Sequence, residues 1–133
     1  MTLAAFLAAW LGKPCDFDGV LGPQCVDLVN QWATQGKGKP ALQGNAYELL
    51  SKAPPAVWLR TANTKTNFPP AGAIVVWHAD VPDIDVGPFG HCAIALVADG
   101  EHLITADQNW DGKAYPAVVV HTYSGVVGWL TPR

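Results

Sequence analysis

This chain is poor in charge. Only 14% of its 133 residues are Asp, Glu, Lys or Arg, against 50% that are hydrophobic. That balance excludes a disordered chain, which lacks the apolar content to bury. Basic residues are few and scattered, the net charge is -3 and the pI is near 5.7, so the basic face of a nucleic-acid binder is missing. Cysteine is limited to Cys15, Cys25 and Cys92, an odd number that does not build a disulfide framework and leaves at least one thiol free. No internal repeat and no apolar run long enough to span a bilayer is present, which argues against membrane insertion. The apolar start, Thr2 to Leu11, lacks the charged leader of a signal peptide and runs into a polar loop. It reads as a helix capped by Thr2 and stopped by Gly12 and Pro14.

What remains reads as a single domain over residues 1–133, a monomer with helices first and strands second. Val26, Leu28, Val29, Trp32 and Ala33 recur at helical spacing after Cys25, with Gly36 as the stop. A shorter helix over Ala46 to Lys52 has Asn45 as its cap and Pro54 and Pro55 beyond its end. Strands are expected over 57–60, 73–78, 90–98, 102–106, 118–123 and 126–130. Their short connections, Asp99-Gly100 and Asp111-Gly112, suit hairpins rather than crossovers, which indicates an α+β fold with a mainly antiparallel sheet. Between two strands lies Ala79 to Phe89, rich in Asp80, Asp83 and Asp85, expected as a solvated acidic loop because its acids lack ligand periodicity.

The densest chemistry lies in Asp16-Phe-Asp-Gly-Val-Leu-Gly-Pro-Gln-Cys25-Val-Asp27. Cys25 opens its helix, where unpaired backbone N–H groups and the positive end of the dipole favour thiolate, the placement that papain-like enzymes use. Counting Asp16 as position one, Asp18 stands at three, Val20 at five, Gly22 at seven and Asp27 at twelve, the ligand spacing of an EF-hand loop. The match is partial, since Leu21 stands where glycine is usual and Asp27 where glutamate is usual. Three carboxylates, with the carbonyls of Val20 and Gly22, suit Ca2+. A bound cation would also reverse the like-charge repulsion that the acids exert on a Cys25 thiolate. Cys15 and Cys92 read as core residues.

A thiol nucleophile needs a base, and four histidines are available. His91 opens the apolar strand Cys92-Ala-Ile-Ala-Leu-Val97 behind a glycine and His78 ends another strand, while His102 and His121 read as ordinary strand-edge residues. An imidazole base needs an acceptor that fixes its tautomer. Asp107 and Asn109, two apart after a strand, are the candidates, and in extended chain both would point to one face. The backbone N–H of Cys25 and the Gln24 side chain are candidate oxyanion donors. Trp77 and Trp110 read as site walls or core.

Taken together, Gly22-Pro-Gln-Cys25-Val-Asp-Leu28, Pro70-Ala-Gly-Ala-Ile-Val-Val-Trp77, Gly90-His91-Cys-Ala-Ile-Ala95 and Asp107-Gln-Asn-Trp110 resemble, in order, the motifs of the CHAP family. These are the cysteine, histidine-dependent amidohydrolase/peptidase domains of bacteriophage endolysins and bacterial wall hydrolases. Val127-Gly-Trp-Leu-Thr-Pro132 is similar to the family's closing strand. The resemblance implies a papain-like fold with N-terminal helices on a roughly six-stranded sheet. It also implies Cys25 as nucleophile, His91 as base, Asp107 as its orienting group and Asn109 as a further polar member, with many relatives carrying glutamate at the Asp107 position. The loop resembles that of calcium-binding phage members, implying Asp16, Asp18 and Asp27 by side chain and Val20 and Gly22 by carbonyl.

The implied activity is peptidoglycan hydrolysis through a thioester, by a wall endopeptidase or an N-acetylmuramoyl-L-alanine amidase, with endopeptidase preferred. The partner is bacterial peptidoglycan. Without a signal of its own, such a phage lysin would leave the host cytoplasm through a pore or travel on a virion. The alternative is a noncatalytic wall-binding or tail-structural module that keeps the fold and the calcium loop.

Overall fold

The computed structural model describes residues 1–84 and 86–133; Asp85 of the acidic loop lies outside the described residues. Three short helices precede six strands. α1 (Leu3–Trp10) begins where the Thr2 side chain accepts the Ala5 N–H at 3.1 Å. α2 (Cys25–Gln31) runs on into a π-helical turn, Trp32–Gly36. Glycine is required at 36 by space: a Cβ there would lie 2.0 Å from the Trp32 ring. Asn45 precedes a 3₁₀ turn, Ala46–Glu48, that leads into α3 (Leu49–Lys52), and Glu48 Oε1 accepts the Asn45 N–H at 3.0 Å to close the start.

The strands are β1 (Trp58–Ala62), β2 (Ile74–Trp77), β3 (His91–Ala98), β4 (Leu103–Asp107), β5 (Ala117–His121) and β6 (Val126–Pro132). They form one sheet in the order β1-β6-β2-β3-β4-β5, every pair antiparallel. The expected strands are all present, with ends displaced by at most two residues. Asp111 and Gly112 both take left-handed φ angles, the tight hairpin turn their sequence demands.

The sheet is covered on both faces. On one, Ile74, Val76, Cys92, Ile94 and Leu130 pack against Phe6, Leu28, Val29, Trp32 and Leu49 from the helices. On the other, Val75, Trp77, Ala93, Ala95 and Trp129 are covered by Val81, Ile84 and Val86. The 79–89 segment is therefore not the purely solvated loop expected. Asp80 and Asp83 sit at the surface while Val81, Ile84 and Val86 seal the second face. This double covering explains why β2 is buried at every position and reads as a continuous apolar run.

The same packing aims the functional segment. Leu28 and Val29 anchor α2 on the sheet, which points its first residue, Cys25, at the start of β3. Gly90 makes that start possible: φ is +71°, and a Cβ would meet the Trp77 carbonyl oxygen at 2.8 Å. Leu28→Ala, which removes a side chain 1% exposed between helix and sheet, should cost about 2–5 kcal/mol. The urea midpoint should fall accordingly, and an unchanged midpoint would show that this contact does not secure the helix.

Candidate active site

α2 starts with Cys25 because Gln24 is extended and the turn closes behind it: Asp27 Oδ2 accepts the Gln24 N–H at 2.8 Å. Cys25 is half-buried and lines a cleft of about 420 Å³ with Gln24, Asp18, Phe89, His91 and Asn109. Hydrogen bonding from the Cys92 side chain, and then from His91, outweighs burial and holds its thiol well below the usual range. The other two thiols are driven the opposite way. Burial and the nearby Asp27 and Asp16 charges push Cys15 up to about 12, and burial followed by the adjacent Cys25 raises Cys92 well above the ordinary value. Of the three cysteines, Cys25 is the one whose surroundings favour the thiolate form.

His91, at the first position of β3, is 3% exposed. Its Nε2 stands 2.7 Å from Asp107 Oδ2 at the end of β4, which leaves Nδ1 as the ring nitrogen available to Cys25. Burial opposes charge on this ring. Hydrogen bonds to Asp107 and Cys25, with their charges, prevail and raise it to about 9. Asp107 is itself buried, and hydrogen bonds from His121 and then His91 overcome that burial to keep its carboxyl below the usual range. All three shifts favour a thiolate–imidazolium pair backed by an ionised carboxylate.

Between the two candidates for the orienting group, the geometry selects Asp107. Asn109 does not continue the strand alternation: its φ is +62°, its N–H donates to the Lys113 carbonyl at 2.8 Å, and it sits in the cleft wall. Among the other histidines, His78 ends β2's side of the sheet without joining the site, but His121 is not the strand-edge residue expected. It is buried, and its Nε2 lies 2.9 Å from the same Asp107 Oδ2 that His91 engages. Thr105 donates its hydroxyl to the other oxygen, Oδ1. Trp77 and Trp110 flank both imidazoles, with centroid distances of 4.7–5.1 Å. Trp77 is fully buried in the second-face core and Trp110 packs against that cluster, so both enclose the imidazoles from the core side.

Gln108 is a second residue that sequence reasoning missed. Fully buried, it donates from Nε2 to the carbonyls of Cys15 and Gln24, each at 2.7 Å, and accepts the Cys15 N–H at 2.8 Å. It clasps both ends of the acidic loop to the residue next to Asp107. The only sequence signal was an uncharged polar residue where the strand leaves the core.

The carboxylate oxygens of Asp16, Asp18 and Asp27 lie within 4.8 Å of one another, a hard-oxygen set of the kind calcium takes. Burial, with added repulsion from Asp18 and Asp16, raises the Asp27 carboxyl, which is the tension a cation would relieve. Leu21 takes the left-handed φ of +63° that glycine supplies at this position in an EF-hand loop, while its side chain extends into solvent. These residues fit the ion. His91, Asp107 and His121 also group within 4.8 Å, but both ring nitrogens sit at hydrogen-bond distance from one shared oxygen. Two N–H donors on one carboxylate account for that trio.

Comparison with known proteins bears on the family and the fold. The endolysin PlyTW of Staphylococcus phage Twort is 26% identical over 143 aligned residues, covering 97% of this chain and 29% of that protein. The crystal structure of wild-type endolysin LysIME-EF1 superposes with a TM-score of 0.82 at 27% identity, covering 96% of this chain and 61% of that one. An N-acetylmuramoyl-L-alanine amidase from Staphylococcus aureus shares the fold, with a TM-score of 0.63 at 17% identity over 83% of this chain and 30% of its own. The chain thus spans under a third of the Twort endolysin and about three fifths of LysIME-EF1. The model of the CHAP domain matches residues 15–109, from the first cysteine through the acidic loop, Cys25 and His91 to the end of the Asp107 segment, and this chain belongs to that family.

Proposed function

We propose that this domain hydrolyses amide bonds of bacterial peptidoglycan as a phage-lysin cysteine amidohydrolase/peptidase. The observation that carries the reading is the line Cys25, His91, Asp107 at the edge of an open cleft, with the one lowered thiol facing the one raised imidazole. Its similarity to endolysins supports the wall as substrate.

In this mechanism the Cys25 thiolate attacks the amide carbonyl, and the carbonyl oxygen takes up negative charge. The Cys25 backbone N–H, in the first turn of α2, and the Gln24 side chain, which lines the same cleft, would receive that charge. His91 gives its proton to the departing amine, leaving a Cys25 thioester. Deprotonated His91 then takes a proton from water, the resulting hydroxide attacks the thioester carbonyl, and the acid product leaves and loses its proton to water as the Cys25 thiolate is restored beside protonated His91. Asp107 keeps the proton of Nε2 in place throughout, so the exchanging proton is confined to Nδ1. Asn109 borders the cleft as a polar contact for the substrate backbone.

Asp16, Asp18 and Asp27, with the carbonyls of Val20 and Gly22, would hold Ca2+. The ion would supply positive charge that neutralises three acids beside the nucleophile. Gln108 would transmit the order of that loop to the Asp107 strand through its clasp on Cys15 and Gln24.

Cys25→Ala should abolish release of new amine ends from purified peptidoglycan. Mass spectrometry of the native fragments distinguishes a stem or bridge endopeptidase from an amidase. A native protein inert on several wall types, yet sedimenting with them, would instead make it a binding module.

Activity should also fall as pH rises through about 9, because above that value His91 no longer carries the proton the leaving amine requires. A profile still rising at pH 10 would remove His91 from the role of acid. Chelation should lower the melting temperature and the hydrolysis rate together, with calcium restoring both. Identical melts with chelator and with calcium would exclude the loop as a calcium site.

A further inference from the structure

We propose that His121 is a positioning residue for the reaction: it donates Nε2–H to Asp107 Oδ2 and thereby holds that oxygen on His91. The proposal rests on the hydrolase reading above and adds a residue beyond Cys25, His91 and Asp107.

Three observations support it. First, the contact is selective. Asp107 has two oxygens, Thr105 occupies Oδ1, and His121 converges with His91 on Oδ2, at 2.9 and 2.7 Å. An ionised carboxylate is acceptor-only, so both rings must present N–H to it, and both are fixed as Nε2–H donors. Rotation of Asp107 would break a bond on each side, and the carboxylate is thus locked about its own axis.

Second, the site is built for two rings. The Trp77 ring lies tilted at 5.1 Å from His91 and 4.8 Å from His121, and Trp110 lies 4.7 Å from each, tilted to His91 and edge-on to His121. His121 shares the walls of His91 rather than filling a separate part of the core. The titratable groups against it are Asp107 from β4 and His91 from β3; Trp77 from β2 and Trp110 from the turn after β4 present aromatic rings.

Third, the contact is not a by-product of strand pairing. Across β4 and β5, His121 stands opposite Leu103 and Asp107 opposite Ala117. The two side chains are four residues out of register and must reach along their strands to meet. Simple burial of an imidazole beside Leu103 would not require that reach. Asp107 leans back over Thr105 to make it, and the outcome is a carboxylate that takes three donors on its two oxygens while His91 Nδ1 remains free for Cys25.

The test compares His121→Gln with His121→Met in the full chain. The two side chains have similar length and flexibility, but only glutamine can donate to Oδ2. On a soluble wall-derived peptide, His121→Met should lose kcat by roughly tenfold or more with KM little changed, and His121→Gln should recover most of it. Equal kcat in the two variants, whether both high or both low, would overturn the proposal, because donation would then not matter.

Histidine side-chain ¹H–¹⁵N spectra give a readout independent of hydrolysis. The downfield Nε2–H signal of His91 should persist in native protein and His121→Gln and be lost or shifted in His121→Met. If the native protein cleaves no wall material, that spectral difference still supports the positioning role while the hydrolase reading fails. An unchanged His91 signal in His121→Met would overturn it.

Discussion

A buried carboxylate is the constraint on which the rest of this site depends. Asp107 is 1% exposed, and an ionised carboxylate in such a place is tolerable only if donors replace the water it has lost. Three strands supply them. β4 contributes Thr105 along with Asp107 itself, β3 begins with His91, and β5 ends with His121. Removing one donor would leave part of a buried charge uncompensated, so the satisfaction of Asp107 and the orientation of His91 are the same physical requirement. The raised imidazole follows from it, and that imidazolium adds to the Cys92 hydrogen bond, the larger cause, in lowering the Cys25 thiol.

The two coverings of the sheet serve different ends. The helical side is an apolar core whose main product is position: Leu28, Val29 and Trp32 fix α2, and through it Cys25. Trp32 adds a buried hydrogen bond from its indole to the Gly72 carbonyl, tying the helix end to the segment before β2. The second side carries the polar cluster, and there the aliphatic residues of the 79–89 segment exclude water from Trp77 and its neighbours. The proposed catalytic line crosses from one side to the other, since Cys25 comes from the helical layer while His91 and Asp107 project among the rings. Cys92, next to His91 but facing the helices, touches Cys25 from below and helps lower its thiol.

Gln108 joins the acidic loop to this system. With one amide it satisfies backbone groups at residues 15 and 24, so the loop is closed by a buried side chain as well as by its own Asx contacts at Gly19 and Val20. Three acids within reach of one another repel, and a structure that gathers them against that repulsion is held by its ends. The clasp also lies between Asp107 and Asn109 in sequence, so loop order and the strand end that carries the orienting group share one anchor.

Much of this protein was determined by local sequence. Thr2 and Asn45 mark helix starts because their short side chains compete for free N–H groups, Cys25 opens α2 because the apolar period begins beside it, and Asp111-Gly112 turns because both residues accept left-handed backbone. Alternation and apolar runs located six strands, and the 16–27 spacing gathered three carboxylates. Tertiary structure alone decided the partners. Asp107 rather than Asn109 meets His91 because the chain turns left-handed at 109, a change that a residue spacing of two does not encode. His121 looked like any histidine at a strand end, and Gln108 like any polar residue leaving a strand. Their contacts join positions far apart in sequence, and a side chain's reach across register has no local signature: it exists only once the strands have paired and water has been excluded from between them.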